Sequence, residues 1–332
     1  MPLAHDQAPD SLLFIKPGSM GDVIHALPVA SAIHRAWPLT RITWILDPRW
    51  SELLEANPAI AKIHPFPRQS FRGPSGLIRA LRWYRGLREL KVDTVVDLQC
   101  LLRSGLMAYC SGARVVVGLG DAREGAGFFY SSSVPVRKDE HAVNRYLRVL
   151  PALGIPIPEA LDWGIPRGLR PRAVTTNDPY IVLHPFSRGE GKSLNSDAIG
   201  AFIQAFQEKS ALPIVLAGAP KSLPDFGPGV IDLLGKTSLT ELIGLMRGAS
   251  YVVSVDSGPM HLAAALGVPL LSIHTWSDPR LVGPFSKNSH IWQGGQILEQ
   301  NLQRAPSPER PFTIPDAIAT GHFAAKRTAA AQ

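Results

Sequence analysis

The sequence predicts an α/β protein made of two doubly wound domains, each a parallel sheet with helices on both faces. Three observations carry that expectation. Strand-like apolar runs alternate with helix-like periodic stretches along the chain. A Pro/Arg-rich stretch of little periodicity, 155–179, separates a first series of such units from a second. Each series also contains a strand, a glycine-bearing turn and a helix start in immediate succession.

In chain order, the strand-like runs are 12–15, 42–46, 94–97, 115–118, 180–184, 214–217, 251–254 and 270–274. Helical periodicity falls between them, at 24–36, 77–90, 198–207, 239–247 and 260–265. A chain of 332 residues is long enough for two domains. They are expected at 1–165 and 180–310, with a linker over 166–179 and a tail over 311–332 that holds a short helix near 315–325. Ligands of such sheets bind outside the carboxyl ends of the strands.

The richest segment is Leu13-Phe-Ile-Lys-Pro-Gly-Ser-Met-Gly-Asp-Val. Its apolar run breaks at Pro17-Gly18, and a periodic stretch resumes at Val23. A helix start behind a glycine turn aims unpaired N–H groups at an anion, and Gly18 and Gly21 allow close backbone approach. Asp22 then lies in the first helical turn. A carboxylate repels an anion, so there it is either a helix cap or a proton acceptor, and the residues alone leave both readings open. With only two glycines, the segment does not match the dinucleotide fingerprint.

A second constellation is Val252-Val-Ser-Val-Asp-Ser-Gly-Pro-Met-His261. Asp256-Ser257-Gly258 forms the turn and Pro259 suits the first turn of a helix, so N–H groups are again presented to an anion. Upstream, the loop 184–192 (His-Pro-Phe-Ser-Arg-Gly-Glu-Gly-Lys) supplies Ser187, Arg188 and Lys192, donors that suit a diphosphate if the loop is more than exposed surface. It lacks the spacing of a Walker A loop.

Between residues 68 and 91 lie Arg68, Arg72, Arg79, Arg82, Arg85, Arg88 and Lys91, against the single acid Glu89. Leu77, Leu81, Tyr84 and Leu87 recur at helical spacing, which gives a basic amphipathic helix. It is either a solvated face or a contact for anionic lipid. The chain carries no recognised nucleic-acid motif, and no nucleic-acid partner is expected. Asp256, Ser257, Pro259 and Pro269 interrupt the longest apolar stretch, 249–274, so no span is expected, and the first ten residues lack a basic-then-apolar leader. Cys100 and Cys110 fit no zinc spacing and read as buried thiols rather than ligands or a disulfide. A cytoplasmic protein is expected.

Taken together, these residues resemble the heptosyltransferases of glycosyltransferase family 9. The matching segments are 16–23, 96–99, 121–124, 141–145, 184–192 and 254–263, in family order over most of the chain. The resemblance implies the GT-B architecture, with two Rossmann-like domains facing across a cleft, the first for the acceptor and the second for the nucleotide sugar. It implies that Asp22 is the general base of an inverting transfer. On the donor side it implies Ser187, Arg188, Lys192, Asp256, Ser257, Gly258 and His261, and on the acceptor side Lys16, Gly21, Arg123, His141 and Arg145. It further implies an ADP-heptose donor, an anionic lipid A–Kdo acceptor, a peripheral position on the cytoplasmic face of the inner membrane, and no metal or other cofactor.

Two positions depart from the family pattern, both on the donor side. Ser193-Leu194 stands where Trp-Pro commonly follows the lysine, and Thr240, with Glu241 beside it, stands where a glutamate meets the donor ribose. The alternatives are another sugar nucleotide or acceptor, an epimerase-like chemistry on the same fold, or a scaffold without activity. The basic cluster argues against the epimerase, and Asp22 against the scaffold.

Overall fold

The structure, a computed structural model, describes residues 8–175 and 179–299. The chain divides into two compact units, Met1–Pro166 and Arg167–Gln332.

The first unit runs β1 (Ser11–Ile15), α1 (Met20–Ala36), β2 (Arg41–Leu46), β3 (Lys62–Pro65), α2 (Gly76–Gly86), β4 (Thr94–Asp97), α3 (Leu102–Ser111), β5 (Val115–Leu119), β6 (Ser132–Val134), α4 (Ala142–Leu147) and α5 (Val149–Ala152). Its six strands are all parallel, in the order β3-β2-β1-β4-β5-β6. β1 is buried along its whole length because strands flank it on both edges, with Leu12 in register with Ile42 and Thr94. That placement explains its uninterrupted apolar run. The strand order reverses between β1 and β4, so the crevice for a ligand opens beyond Ile15 and Asp97.

The second unit runs β7 (Ile181–His184), α6 (Ser196–Gln207), β8 (Ile214–Gly218), β9 (Val230–Leu234), α7 (Leu239–Gly248), β10 (Tyr251–Val255), α8 (Gly258–Ala265), β11 (Leu270–His274), α9 (Pro279–Val282), β12 (Ser289–Gln293) and β13 (Gln296–Glu299). The sheet order is β13-β12-β11-β10-β7-β8-β9, parallel except for the β12–β13 pair. Its reversal lies between β7 and β10, beyond His184 and Val255. Phe202, Phe206, Ile199 and Trp292 pack with the central strands into the core.

Every apolar run read from the sequence is a strand. The strands it missed are β3, β6, β9, β12 and β13, most of them near a sheet edge. β3 is half exposed and ends in Pro65, which an edge tolerates. β6 has three residues, two of them serines. Helix α1 starts at Met20 rather than at residue 24, because Ser19 and Asp22 cap it.

Helix α2 departs more from expectation. Tyr84 is half-buried and Leu87 fully buried, but Leu77 and Leu81 are 68% and 48% exposed. Trp83 sets the buried side by packing on His64, Phe66 and Phe71, and beyond Gly76 at the start of the helix burial is concentrated in the last turn and the 3₁₀ segment Leu87–Leu90.

The stretch expected as a linker belongs in large part to the second unit. Leu169 N–H donates to Thr240 O, and a Cβ at Gly244 would lie 2.2 Å from the Leu169 carbonyl oxygen, so only glycine admits this strap. The helix expected near 315–325 lies outside the described residues.

Candidate active site

At the switch point of the first sheet, Asp22 is the third residue of α1. Its Oδ2 accepts from Ser19 N and Ser19 Oγ, both at 2.9 Å, which closes the N-terminal cap of the helix. Its Oδ1 accepts from Tyr146 OH at 3.1 Å and faces Lys16 Nζ at 3.5 Å. The side chain remains 39% exposed, so capping does not consume the carboxylate. Burial alone would raise its pKa. The Lys16 ammonium and the hydrogen bonds from Ser19 and Tyr146 outweigh that and hold it below the ordinary carboxylate value.

Lys16 itself is 4% exposed. Its ammonium donates to Leu98 O at 3.1 Å, bridging the carboxyl ends of β1 and β4, and stands 4.9 Å from the Tyr146 ring centroid. Burial opposes its charge, but Tyr146 and Asp22 raise its pKa above the usual lysine value. Lys16, expected on the acceptor side, is the counter-ion of Asp22 in this structure. Gly18 sits against Trp50, whose Nε1 would be 3.1 Å from a Cβ there, and Gly21 is buried in α1.

His141 is buried and caps α4, its Nδ1 accepting from Val143 N at 3.2 Å, with its ring edge-on to His25. It thus orders the helix that carries Arg145 and Tyr146. Arg145 forms an ion pair with Asp121, while Arg145 Nε and Asp121 Oδ1 are buried without a hydrogen-bond partner. Arg123 is exposed, its backbone N–H donating to Cys100 O and its carbonyl accepting from Ala126 N. Tyr146 went unnoticed in the sequence although it directly follows the matched segment 141–145.

At the switch point of the second sheet, Lys192 Nζ is 2.5 Å from Asp256 Oδ2 and 4.4 Å from the Trp276 ring centroid. Asp256 is 6% exposed and also accepts from Ser277 Oγ at 2.6 Å. That hydroxyl has one proton, so His274 Nδ1, 3.1 Å from Ser277 Oγ, is the donor to it, and His274 Nε2 is left buried without a partner. Burial pushes His274 down to about 4, and His184 likewise. His184 Nδ1 lies 3.3 Å from Ser257 Oγ and 3.4 Å from Ser254 Oγ.

Ser257 is the N-cap of α8, in extended backbone. Proline supplies no N–H at 259 and His261 N–H bonds to Ser257 O, so the N–H groups of Gly258 and Met260 stay available for an anion. His261 is buried in the same helix. In the loop after β7, Ser187 and Ser193 tie the ends together, Ser187 N donating to Ser193 Oγ at 2.9 Å and Ser193 Oγ to Ser187 O at 3.1 Å, and Arg188 is exposed.

Asp256, expected on the donor side, holds the lysine in this structure. Glu241, next to Thr240, closes the cap of α7 through Ser238. Trp276, His274 and Ser277 escaped the sequence reading. Their signal is the Ser277-Asp278-Pro279 helix start behind β11. Among the described residues, no three His, Cys, Asp or Glu side chains converge as a metal site would require.

The sequence profile of glycosyltransferase family 9 (heptosyltransferase) matches residues 80–312, well over half of the chain. The chain belongs to glycosyltransferase family 9. Among similar proteins, lipopolysaccharide heptosyltransferase 1 of Pseudomonas aeruginosa is 30% identical over 293 residues, covering 83% of this chain and 82% of the relative. A solved E. coli heptosyltransferase, WaaC with ADP, superposes with a TM-score of 0.72 at 26% identity, covering 85% of this chain and 93% of that one. The E. coli protein with ADP-2-deoxy-2-fluoro heptose gives 0.68 at 25% identity, covering 85% and 92%. This glycosyltransferase has the GT-B type of fold that such structures share. No described helix of it is long and apolar enough to cross a membrane.

Proposed function

We propose that this glycosyltransferase moves heptose from ADP-heptose onto the lipid A–Kdo inner core of lipopolysaccharide, with inversion at the anomeric carbon. The observation that carries the reading is Asp22: an ionised, partly exposed carboxylate at the switch point of the first sheet, oriented by Lys16, Ser19 and Tyr146. A mere cap needs neither the lysine nor the tyrosine.

In this mechanism an acceptor hydroxyl attacks the anomeric carbon and passes its proton to Asp22. The bond from that carbon to the diphosphate breaks and the electron pair leaves with ADP. Asp22 is a weak base, so proton transfer accompanies attack, and much of the acceleration falls on stabilising the departing diphosphate. Lys192 and the N–H groups of Gly258 and Met260 supply that stabilisation, with Ser187, Arg188, Ser257 and His261 around them. Asp256 and Ser277 keep Lys192 in place.

Arg123 and Arg145 receive the anionic acceptor, and the Arg-rich α2 region draws the protein to an anionic membrane on its cytoplasmic face. The named relatives and the ADP-heptose analogue bound by the E. coli protein support this choice of donor.

The test incubates the protein with ADP-heptose and lipid A–Kdo. ADP release coupled to a one-heptose gain in acceptor mass is expected, with UDP- and GDP-sugars inert. Turnover of another sugar nucleotide, or donor consumption without an acceptor, overturns the reading.

A further inference from the structure

Of the eleven large apolar side chains that the described residues expose, seven lie on one layer of the first unit. Leu77, Ile78 and Leu81 project from α2, exposed by 68%, 61% and 48%. Leu102, Leu106 and Tyr109, at a spacing of four and three residues, form one stripe along α3. Phe128, 93% exposed, tops the 3₁₀ segment Ala126–Phe129.

These pieces form one surface. Tyr84 OH donates to Arg103 O at 3.1 Å and so joins α2 to α3. Gly105 lets the Phe129 ring and the Ala126 backbone close on α3, where a Cβ would come within 2.6 Å of the ring. Beneath the surface, Leu87, Trp83, Met107 and Ala108 share one core, so the layer is rigid and its apolar stripe is not a core face in search of its own sheet.

The charge around the stripe is predominantly positive, with Glu89 and Glu124, which accepts from Leu102 N, as the acids beside it. Arg82 and Arg85 line a shallow groove of about 340 Å³ together with Ile78, Leu81, Gly86 and Glu89. Among the described residues no arginine of 68–88, nor Arg103, pairs with a carboxylate within 4.0 Å. The Arg79 guanidinium bonds instead to Ser70 O, Arg72 O and Ser75 Oγ, which fixes it beside the helix with its charge uncompensated.

We infer that the α2–α3 layer is an interfacial docking face whose apolar side chains enter the acyl boundary of an anionic phospholipid membrane while its arginines bind the headgroup phosphates. An apolar stripe bordered by guanidinium groups suits that boundary, because each arginine keeps its charge at headgroup level while its stem lies along apolar surface. A protein partner or second copy would need carboxylates to answer this face, whereas an anionic lipid surface supplies the counter-charge everywhere. The inference rests on the lipid acceptor proposed above in that both place this unit at a membrane, but it concerns insertion, which basic attraction alone does not require.

The experiment uses the full chain with vesicles of phosphatidylcholine containing about a third phosphatidylglycerol. Wild type is expected to co-sediment with them and not with pure phosphatidylcholine. Ile78→Ser/Leu81→Ser should lower the partition coefficient about tenfold or more, with an unchanged melting temperature and unchanged transfer to a deacylated, water-soluble acceptor. Arg82→Glu/Arg85→Glu should lower it further and remove most of its salt dependence. Ile78→Trp should show a blue-shifted emission on vesicle binding, quenched by brominated acyl chains.

Three results overturn the inference. These are equal binding of wild type and Ile78→Ser/Leu81→Ser to anionic vesicles, an unshifted Ile78→Trp emission in bound protein, and a wild-type dimer in sedimentation that Ile78→Ser/Leu81→Ser dissolves. Vesicle insertion that persists while no heptose reaches any acceptor supports the docking face and counts against the proposed function instead.

Discussion

Lys192 Nζ and Asp256 Oδ2 stand 2.5 Å apart, with the lysine 17% and the aspartate 7% exposed at their side chains. The cation proposed to meet the donor is therefore already paired before any nucleotide arrives. Burial alone would raise the Asp256 pKa, but His274, Lys192 and Ser277 outweigh it and keep the carboxylate ionised. A diphosphate bound as proposed would share the lysine with Asp256, which fixes where the ammonium points and subtracts from its pull.

Lys192→Ala removes a charge-assisted contact and also leaves Asp256 buried and unpaired beside the anion. ADP affinity should fall by about 1.5–3 kcal/mol, roughly ten- to a hundredfold. Adding Asp256→Asn to Lys192→Ala should recover part of that loss, since the repulsive charge is gone. Calorimetry with ADP decides it, and wild-type affinity in Lys192→Ala would take the lysine out of the donor site.

Of the two arginines proposed to receive the acceptor, Arg123 is exposed, whereas Arg145 is engaged by Asp121. Arg123→Ala should raise the acceptor KM several-fold, in line with one lost charge-assisted contact of about 1.5 kcal/mol, and leave the ADP Kd unchanged. An altered ADP Kd with a normal acceptor KM would move Arg123 to the other substrate.

The parts of this protein that were legible in the sequence are those where one physical demand dominates. β1, β7, β10 and β11 are buried along their whole length, so each reads as an apolar run, and their order with the helices announces parallel sheets. β6 and β3 escape because short, partly exposed strands need no such run. Asp22 and Lys192 were visible as residues, but their partners were not. Tyr146 reaches Asp22 across 124 positions, and Asp256 meets Lys192 across 64, separations that no local pattern encodes. Leu77 and Leu81 misled because periodicity reports a shared helix face and not what covers it.

His184 and His274 are buried, and that burial lowers each to about 4 from an ordinary 6.5. A depressed histidine stabilises the fold fully above the unfolded value of 6.5, and the contribution is lost as pH falls toward 4. Each is worth up to about 3 kcal/mol over that window. The second unit should therefore melt progressively earlier between pH 6.5 and 4, and ADP should protect it less. His274→Gln should flatten part of that slope in melts at pH 7.5 and 5. A slope equal to wild type would place the titration elsewhere.

Asp22 decides between an enzyme and a scaffold, and the structure shapes its test. Asp22→Asn keeps an oxygen for Ser19 and so keeps most of the helix cap. It removes the counter-charge of Lys16, which is 4% exposed, and leaves that ammonium with Leu98 O and the Tyr146 ring. Stability should drop by about 1–2 kcal/mol, less than for a fully buried pair because the Asp22 side chain is 39% exposed. Asp22→Asn/Lys16→Met should restore that stability without restoring turnover. If Asp22 is the base, kcat falls about 10²–10⁴-fold in both variants while the ADP Kd holds. Because its partners hold Asp22 below the ordinary carboxylate value, wild-type kcat/KM should show no acid limb from this group above about pH 4. The stability it contributes is present above that pH and lost below it. Near-normal turnover in the double variant would reduce Asp22 to the cap of α1.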